Sequence, residues 1–212
     1  MPRNYASNIV NDIHQRSKYF EFTIGTCPVY QADPPYDILF LSTRNWFIGD
    51  IDFEDVGDFP LNDFVDYIIQ AEEDDRYNLK FRAYRTYGGY RFFVTNKKVK
   101  LASPEADFLF ENFPIDPAYE TITKGLQSFR VRLSPKYRKD RDSLTIDPNI
   151  ADLVYTSQPE SQYDIELATI IQIHDSFCCH KIYKYDDLPK PNARRNSNNE
   201  ETTQWDIGEI LF

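Results

Sequence analysis

The sequence is poor in cysteine and contains no long apolar run. Its three cysteines, Cys27 and the adjacent pair Cys178 and Cys179, form neither a disulfide framework nor the CxxC spacing of common zinc sites. No apolar stretch approaches the roughly 20 residues that a membrane-spanning helix requires, and the first residues lack the apolar core of a signal peptide. These absences exclude a disulfide-stabilised secreted domain and predict a cytoplasmic protein without a membrane partner.

Acidic residues outnumber basic ones, giving a net charge of −10, but the two signs are unevenly distributed along the chain. Residues 76–100 contain eight basic residues and no acid, and residues 124–141 contain seven basic residues and one acid. Such blocks predict a basic face on an acidic body, suited to binding phosphates. The alternative is that these lysines and arginines lie on the solvent face of ordinary strands.

The hydrophobic pattern predicts a single α+β domain over residues 1–185, built on a mainly antiparallel sheet with helices packed on one face. Residues 186–203 are rich in Asn, Pro and charge, and this composition predicts a polar linker. Residues 204–212, QWDIGEILF, form a hydrophobic C-terminal segment. This segment either binds a protein partner or packs back on the core, and packing on the core is the favoured alternative.

Residues 46–55, WFIGDIDFED, place carboxylates at alternate positions of a predicted strand. Period two puts Asp50, Asp52 and Glu54 on one face. Carboxylates this close repel one another unless a cation lies over them, and Mg²⁺ or Mn²⁺ can bridge such a pair through oxygen ligands. We therefore predict a divalent metal at Asp50 and Asp52, the alternative being a solvated acidic strand face.

A basic hairpin follows, in which residues 79–86 alternate as a strand and Tyr87, Gly88 and Gly89 form the turn. Paired glycines let a phosphate approach backbone N–H groups closely, and Arg91 would project just beyond them. On the turn alone an ordinary Gly-Gly hairpin is favoured. Tyrosines alternate with the basic residues here, as base stacking would require; they are Tyr84, Tyr87, Tyr90 and, further along, Tyr137.

Two motifs together resemble the archaeo-eukaryotic primase superfamily, which includes the primase-polymerases. The first is a strand ending in Asp-x-Asp at residues 50–52, and the second is the hairpin YRTYGGYR at residues 84–91. The segment FRVRLSPK at residues 129–136 makes the pattern similar to a poorly characterised bacterial branch of that superfamily. The resemblance implies a primase-polymerase-like fold.

The resemblance also implies a set of site residues. Asp50 and Asp52 would be catalytic and hold Mg²⁺ or Mn²⁺, with Asp116 as a candidate third metal-binding acid. Nucleotide or nucleic-acid phosphates would be bound by Thr86, Gly88, Gly89, Arg91, Arg130, Arg132 and Lys136. From the sequence itself, the more ordinary role for Asp116 is to cap a helix.

Arg91 stands where the superfamily has a histidine that contacts the phosphates of the incoming nucleotide. Arginine can hold phosphate through two hydrogen bonds but cannot change its protonation near neutral pH. The substitution therefore preserves phosphate binding better than nucleotidyl transfer. His174, on the apolar side of a predicted helix, is expected to be a surface or satisfied core histidine rather than a catalytic one.

Three functions follow from these patterns. The first is a metal-dependent nucleotidyltransferase acting on nucleic acid and nucleoside triphosphates in synthesis or repair. The second is a catalytically inactive module that binds nucleic acid or nucleotides through the same fold. The third is a protein-interaction domain that uses its acidic surface and residues 204–212.

Overall fold

The computed structural model describes residues 20–29, 36–57, 59–134, 136–140, 143–147 and 150–178. The predicted linker at residues 186–203 and the hydrophobic segment at residues 204–212 lie outside these ranges. No helix in the described part of the chain combines the length and apolar character needed to cross a membrane.

The described residues form nine strands and five helices. The strands are β1 (Phe22–Val29), β2 (Tyr36–Thr43), β3 (Ile48–Asp52), β4 (Phe81–Thr86), β5 (Gly89–Val94), β6 (Phe129–Arg132), β7 (Lys136–Asp140), β8 (Ser143–Asp147) and β9 (Ala151–Thr156). The helices are α1 (Phe53–Val56), α2 (Leu61–Glu73), α3 (Pro104–Asn112), α4 (Pro117–Leu126) and α5 (Ile165–Cys178).

The strands form two antiparallel sheets and one hairpin. The first sheet has the order β1-β2-β6 and the second has the order β3-β5-β4-β9, and among the described residues β7 pairs only with β8. Every pairing is antiparallel. The predicted α+β class with a mainly antiparallel arrangement is therefore confirmed, although the strands divide between two sheets.

Helices cover both faces of the second sheet. Side chains alternate along β5, so Tyr90 and Phe93 point to opposite faces. Phe64 of α2 stacks on Tyr90 with ring centroids 4.2 Å apart, whereas His174 of α5 meets Phe93 at 5.2 Å. The expectation that helices pack on one face was wrong, because both faces of this sheet carry large apolar side chains that must be covered.

Tyr119 of α4 links the two sheets. Its hydroxyl donates to the backbone oxygen of Ile48 in β3 at 2.6 Å and accepts from the backbone N–H of Arg130 in β6 at 3.4 Å. Burial raises the pKa of this hydroxyl above its ordinary value, with the nearby Asp50 carboxylate acting in the same direction. One buried tyrosine thus places β6 beside the strand that carries Asp50.

Candidate functional site

Asp50 and Arg91 form an ion pair across neighbouring strands. They lie directly opposite each other in the β3–β5 register, and Arg91 Nε donates to Asp50 Oδ1 at 3.1 Å. The Arg91 side chain is only 8% exposed, whereas that of Asp50 is 34% exposed. Burial acts to lower the pKa of Arg91, but the Asp50 carboxylate outweighs it and the pKa is raised. The arginine at the expected histidine position therefore neutralises an aspartate predicted to bind metal.

On the buried side of the ion pair, Arg91 also contacts His174. Arg91 Nη1 lies 3.4 Å from His174 Nε2, and because arginine can only donate, Nε2 must be the acceptor. The imidazole proton then sits on Nδ1, which donates to Asp175 Oδ1 at 2.8 Å. Burial lowers the pKa of His174 to about 4, and the hydrogen bond to Asp175 offsets only part of this effect. His174 is thus a neutral, satisfied core histidine, one of the two outcomes expected from the sequence.

Asp175 connects His174 to β4 on the same face of the sheet. It accepts from the Tyr84 hydroxyl at 2.7 Å and from Arg82 Nη2 at 2.8 Å. Arg82 also pairs with Glu160 at 2.7 Å. We call the connected set the buried polar chain; its members are Asp50, Arg91, His174, Asp175, Tyr84, Arg82 and Glu160.

The buried polar chain was not foreseen as a unit. The available signal was polar side chains on predicted buried elements: Arg82 and Tyr84 share one strand face, and His174 and Asp175 interrupt an apolar helix. Which of these side chains would meet depends on α5 crossing β4 and β5, and no local pattern specifies that crossing.

Asp52 lies at the junction of strand and helix. β3 ends at this residue, and its side chain caps α1 by accepting from the backbone N–H of Glu54 at 3.0 Å. Glu54 is consequently a helical, exposed residue, and its predicted place on the strand face was wrong. The chain leaves the extended conformation here because Asp52 is a good N-cap and offers the backbone a helical start.

Asp116 is the N-cap of α4, as the sequence predicted, with its Oδ1 accepting from Ala118 N–H at 2.7 Å. Its own backbone N–H donates to the Asp50 backbone oxygen at 3.0 Å. Asp55 of α1, which is itself exposed, shares a side-chain hydrogen bond with Asp116, and local desolvation together with the charges of Asp116 and Asp52 raises the Asp55 pKa. The side chains of Asp52, Asp55 and Asp116 thus form a cluster of carboxylates beside Asp50, which we call the carboxylate cluster.

The carboxylate cluster does not form a preformed metal site. Within the described ranges, no set of three or more His, Cys, Asp or Glu side chains is placed to hold a metal ion. Asp50 meets Arg91 and Asp52 caps a helix, so each predicted metal ligand already has a structural partner.

The glycines of the hairpin turn serve the strand pairing. A Cβ on Gly89 would lie 1.7 Å from the Ile51 backbone oxygen, so only glycine allows β3 and β5 to approach this closely. The Gly88 backbone oxygen accepts from Phe53 N–H at 2.8 Å. Thr86 ends β4 opposite Ala151. The turn accordingly packs against the end of β3, as in an ordinary Gly-Gly hairpin.

Arg130 and Arg132 lie on one face of β6, as period two predicts, and both are half-buried. Arg130 places its guanidinium over the Phe40 ring, 3.9 Å from the centroid. Arg132 lies opposite Phe40 in the β2–β6 register. Lys136 begins β7 opposite Asp147, and its side chain lies outside the described part of the structure.

Most of the first basic block is paired with acids from other segments. The pairs are Arg76 with Asp74, Lys80 with Glu72, Arg82 with Asp175 and Glu160, Arg91 with Asp50, Lys97 with Glu105, and Lys98 with Glu166. Of the three tyrosines in this block that the sequence placed for base stacking, Tyr84 and Tyr90 are fully buried and Tyr87 is 56% exposed. The charge segregation of the sequence is therefore largely balanced in the fold, and of these three only Tyr87 is accessible for stacking.

Comparison with known proteins identifies no relative. No protein-family model matches the chain, and no curated protein or solved structure shows significant similarity to it.

Proposed function

We propose that this chain is a nucleotide- or nucleic-acid-binding domain of primase-like architecture in which an internal arginine takes the place of a catalytic cation. The observation that carries this proposal is the Asp50–Arg91 ion pair. The guanidinium already balances the Asp50 charge, and a divalent cation at the same carboxylate would be repelled by it. Binding without catalysis is therefore favoured over nucleotidyl transfer.

The positions of Arg130 and Arg132 support the proposal that the domain binds phosphate. They share one sheet face, and Tyr119 holds their strand β6 beside β3, the strand that carries Asp50. Arginine binds phosphate oxygens through paired N–H groups, and contacts of this kind dominate the affinity of proteins for nucleic acids.

We expect Arg130→Gln to weaken binding of a labelled oligonucleotide and to lower the slope of log affinity against log salt by about one, because one phosphate contact is lost. Fluorescence anisotropy over a salt series measures both quantities. Arg76→Gln is the matched control, since Arg76 is exposed and pairs locally with Asp74. The proposal fails if the wild-type protein binds neither oligonucleotide nor nucleoside triphosphate at low salt.

Metal-dependent nucleotidyl transfer is the second candidate function, and the carboxylate cluster favours it. Local desolvation and the charges of Asp116 and Asp52 raise the Asp55 pKa, and a cation would relieve the repulsion between these charges. Mg²⁺ or Mn²⁺ bound there would activate a primer hydroxyl and stabilise the charge that develops on the transferred phosphate.

Primer extension separates the two candidates. A primed template is incubated with all four dNTPs or NTPs and Mn²⁺, and wild type is compared with the Asp50→Ala/Asp52→Ala double variant. Extension by wild type alone supports the enzyme. No extension by either protein, together with intact oligonucleotide binding, supports the binding module. A thermal melt of the double variant shows whether its loss of activity reflects unfolding.

A further inference from the structure

The outer face of the first sheet combines an aromatic ring with arginines, and both the ring and the arginines are half-buried. In the strand register, Phe40 lies between Gly25 and Arg132, and Ser42 lies between Thr23 and Arg130. Alternation along the strands puts these six residues on the same face. We call it the Phe40 face.

Phe40 is not needed by the hydrophobic core. The opposite face of the same strands carries Leu41, Phe129 and Val131, all at most 2% exposed and part of the core. Phe40 belongs neither to the described core cluster nor to the partly buried side chains packed against it. A large aromatic ring on the outer face of the sheet therefore has no role in covering the core.

Neighbouring residues fix the Phe40 ring in place. The ring leans over Gly25, where an added Cβ would come within 3.0 Å of Phe40 Cζ. On the other side, the Arg130 guanidinium lies 3.9 Å from the ring centroid. Ring and guanidinium thus form a positioned stack whose N–H groups can still donate at the edge.

The charge of this face suits a phosphate chain. Its described strand side chains are hydroxyls, apolar groups and two arginines, without a carboxylate. Arg130 contacts an aromatic ring, whereas six basic residues of the first block contact carboxylates. Positive charge next to an aromatic surface is the combination that recognises unpaired nucleotides.

We propose that the Phe40 face binds single-stranded nucleic acid. One unpaired base extends the stack of Phe40 and Arg130, and Arg132 contacts the adjacent phosphate. Duplex bases already stack on one another, so a duplex cannot supply the open base face that this surface accepts. This inference rests on the proposed binding function and names its substrate class.

The test compares three probes with the full chain by fluorescence anisotropy: labelled oligo-dT, a duplex of equal length, and inorganic polyphosphate as a competitor without bases. Phe40→Leu retains apolar volume but removes the stack. We expect it to weaken oligo-dT binding about tenfold and to leave polyphosphate competition unchanged. Tyr67→Leu is the matched control, because Tyr67 is a 40% exposed aromatic on α2, outside the Phe40 face, and the affinity of this variant should equal that of wild type.

A second variant tests the same stack independently, in case Phe40→Leu fails to fold. Arg130→Lys keeps the charge but loses the planar group, so oligo-dT binding should fall while polyphosphate competition persists. If both variants bind oligo-dT like wild type, or if duplex binds as tightly as single strand, the inference is wrong while the proposed binding function stands. If wild type binds neither nucleic acid nor nucleoside triphosphate, the proposed function fails first.

Discussion

At the scale of single residues, Arg91 supplies the positive charge that pairs with the Asp50 carboxylate. Its guanidinium contacts the Asp50 carboxylate on one side and the neutral His174 imidazole on the other. A buried guanidinium held by two partners cannot be removed without leaving the carboxylate uncompensated. The same side chain therefore contributes to stability and, under the proposed function, repels cations from Asp50.

Replacing Arg91 by methionine should lower the free energy of unfolding by about 3 kcal/mol, because it leaves a half-buried carboxylate without its partner. Urea denaturation measures the loss, and Arg76→Met, at an exposed ion pair, should leave stability close to that of wild type. The folded Arg91→Met protein should also bind Mn²⁺ more tightly than wild type does. Unchanged stability together with unchanged Mn²⁺ affinity would show that Arg91 does not control Asp50.

At the scale of elements, the hairpin of β4 and β5 shows how a glycine pair can serve strand pairing. Gly89 allows the β5 backbone to reach Ile51, and Gly88 receives the first hydrogen bond from α1. The turn therefore positions the end of β3, and with it Asp52, by backbone contacts alone.

Alanine substitution separates the two glycines. Gly89→Ala should lower the free energy of unfolding by more than about 4 kcal/mol, because the new Cβ collides with a backbone oxygen that cannot move independently. At Gly88 the nearest atom to a Cβ is Asp52 Oδ1 at 3.8 Å, so Gly88→Ala should be close to neutral in thermal denaturation. Nucleotide affinity should also survive Gly88→Ala. Its loss without a loss of stability would support a phosphate-binding turn instead.

At the scale of the whole molecule, charges that are separated along the chain come together in the fold. The first basic block pairs with acids that lie on both sides of it in sequence. In the buried polar chain, His174 lies next to Asp175 and near the buried guanidinium groups of Arg91 and Arg82. The stability of the whole domain therefore depends on pH through a group at its centre.

The folded-state pKa of His174 is about 4, below the value of about 6.5 that histidine has in an unfolded chain. Between these values the unfolded chain binds a proton that the folded chain does not, so stability is fully present above about pH 6.5 and falls as the pH decreases toward 4. The expected total loss is on the order of 3 kcal/mol.

Urea denaturation at several pH values, combined with an NMR titration of the His174 ring, measures this linkage. The Asp175 pKa is also lowered, by the hydrogen bond from His174 and by Tyr84 and Arg82, which outweigh its burial. Its contribution is lost at still lower pH, below the His174 window. A His174 ring that titrates near 6.5 in the folded protein, with stability independent of pH, would contradict the buried network.

Part of the site could be predicted from the sequence because its causes are local. Period two placed Arg130 and Arg132 on one strand face, and the Asp-Pro pair marked Asp116 as a helix cap. The α+β class followed from alternating and helical patterns of apolar residues. Each of these features depends on residues within about one turn or one hairpin of one another.

The sequence by itself thus determined the alternation of β6 and the cap of α4, and it correctly predicted the α+β class, whereas it extended β3 past Asp52 into α1. Only the tertiary structure decided that Asp50 meets Arg91, that His174 lies between Arg91 and Asp175, and that Phe40 stacks with Arg130. The physical reason is that periodicity specifies the direction of a side chain relative to its own backbone. The partner it meets there depends on which distant element packs against that face.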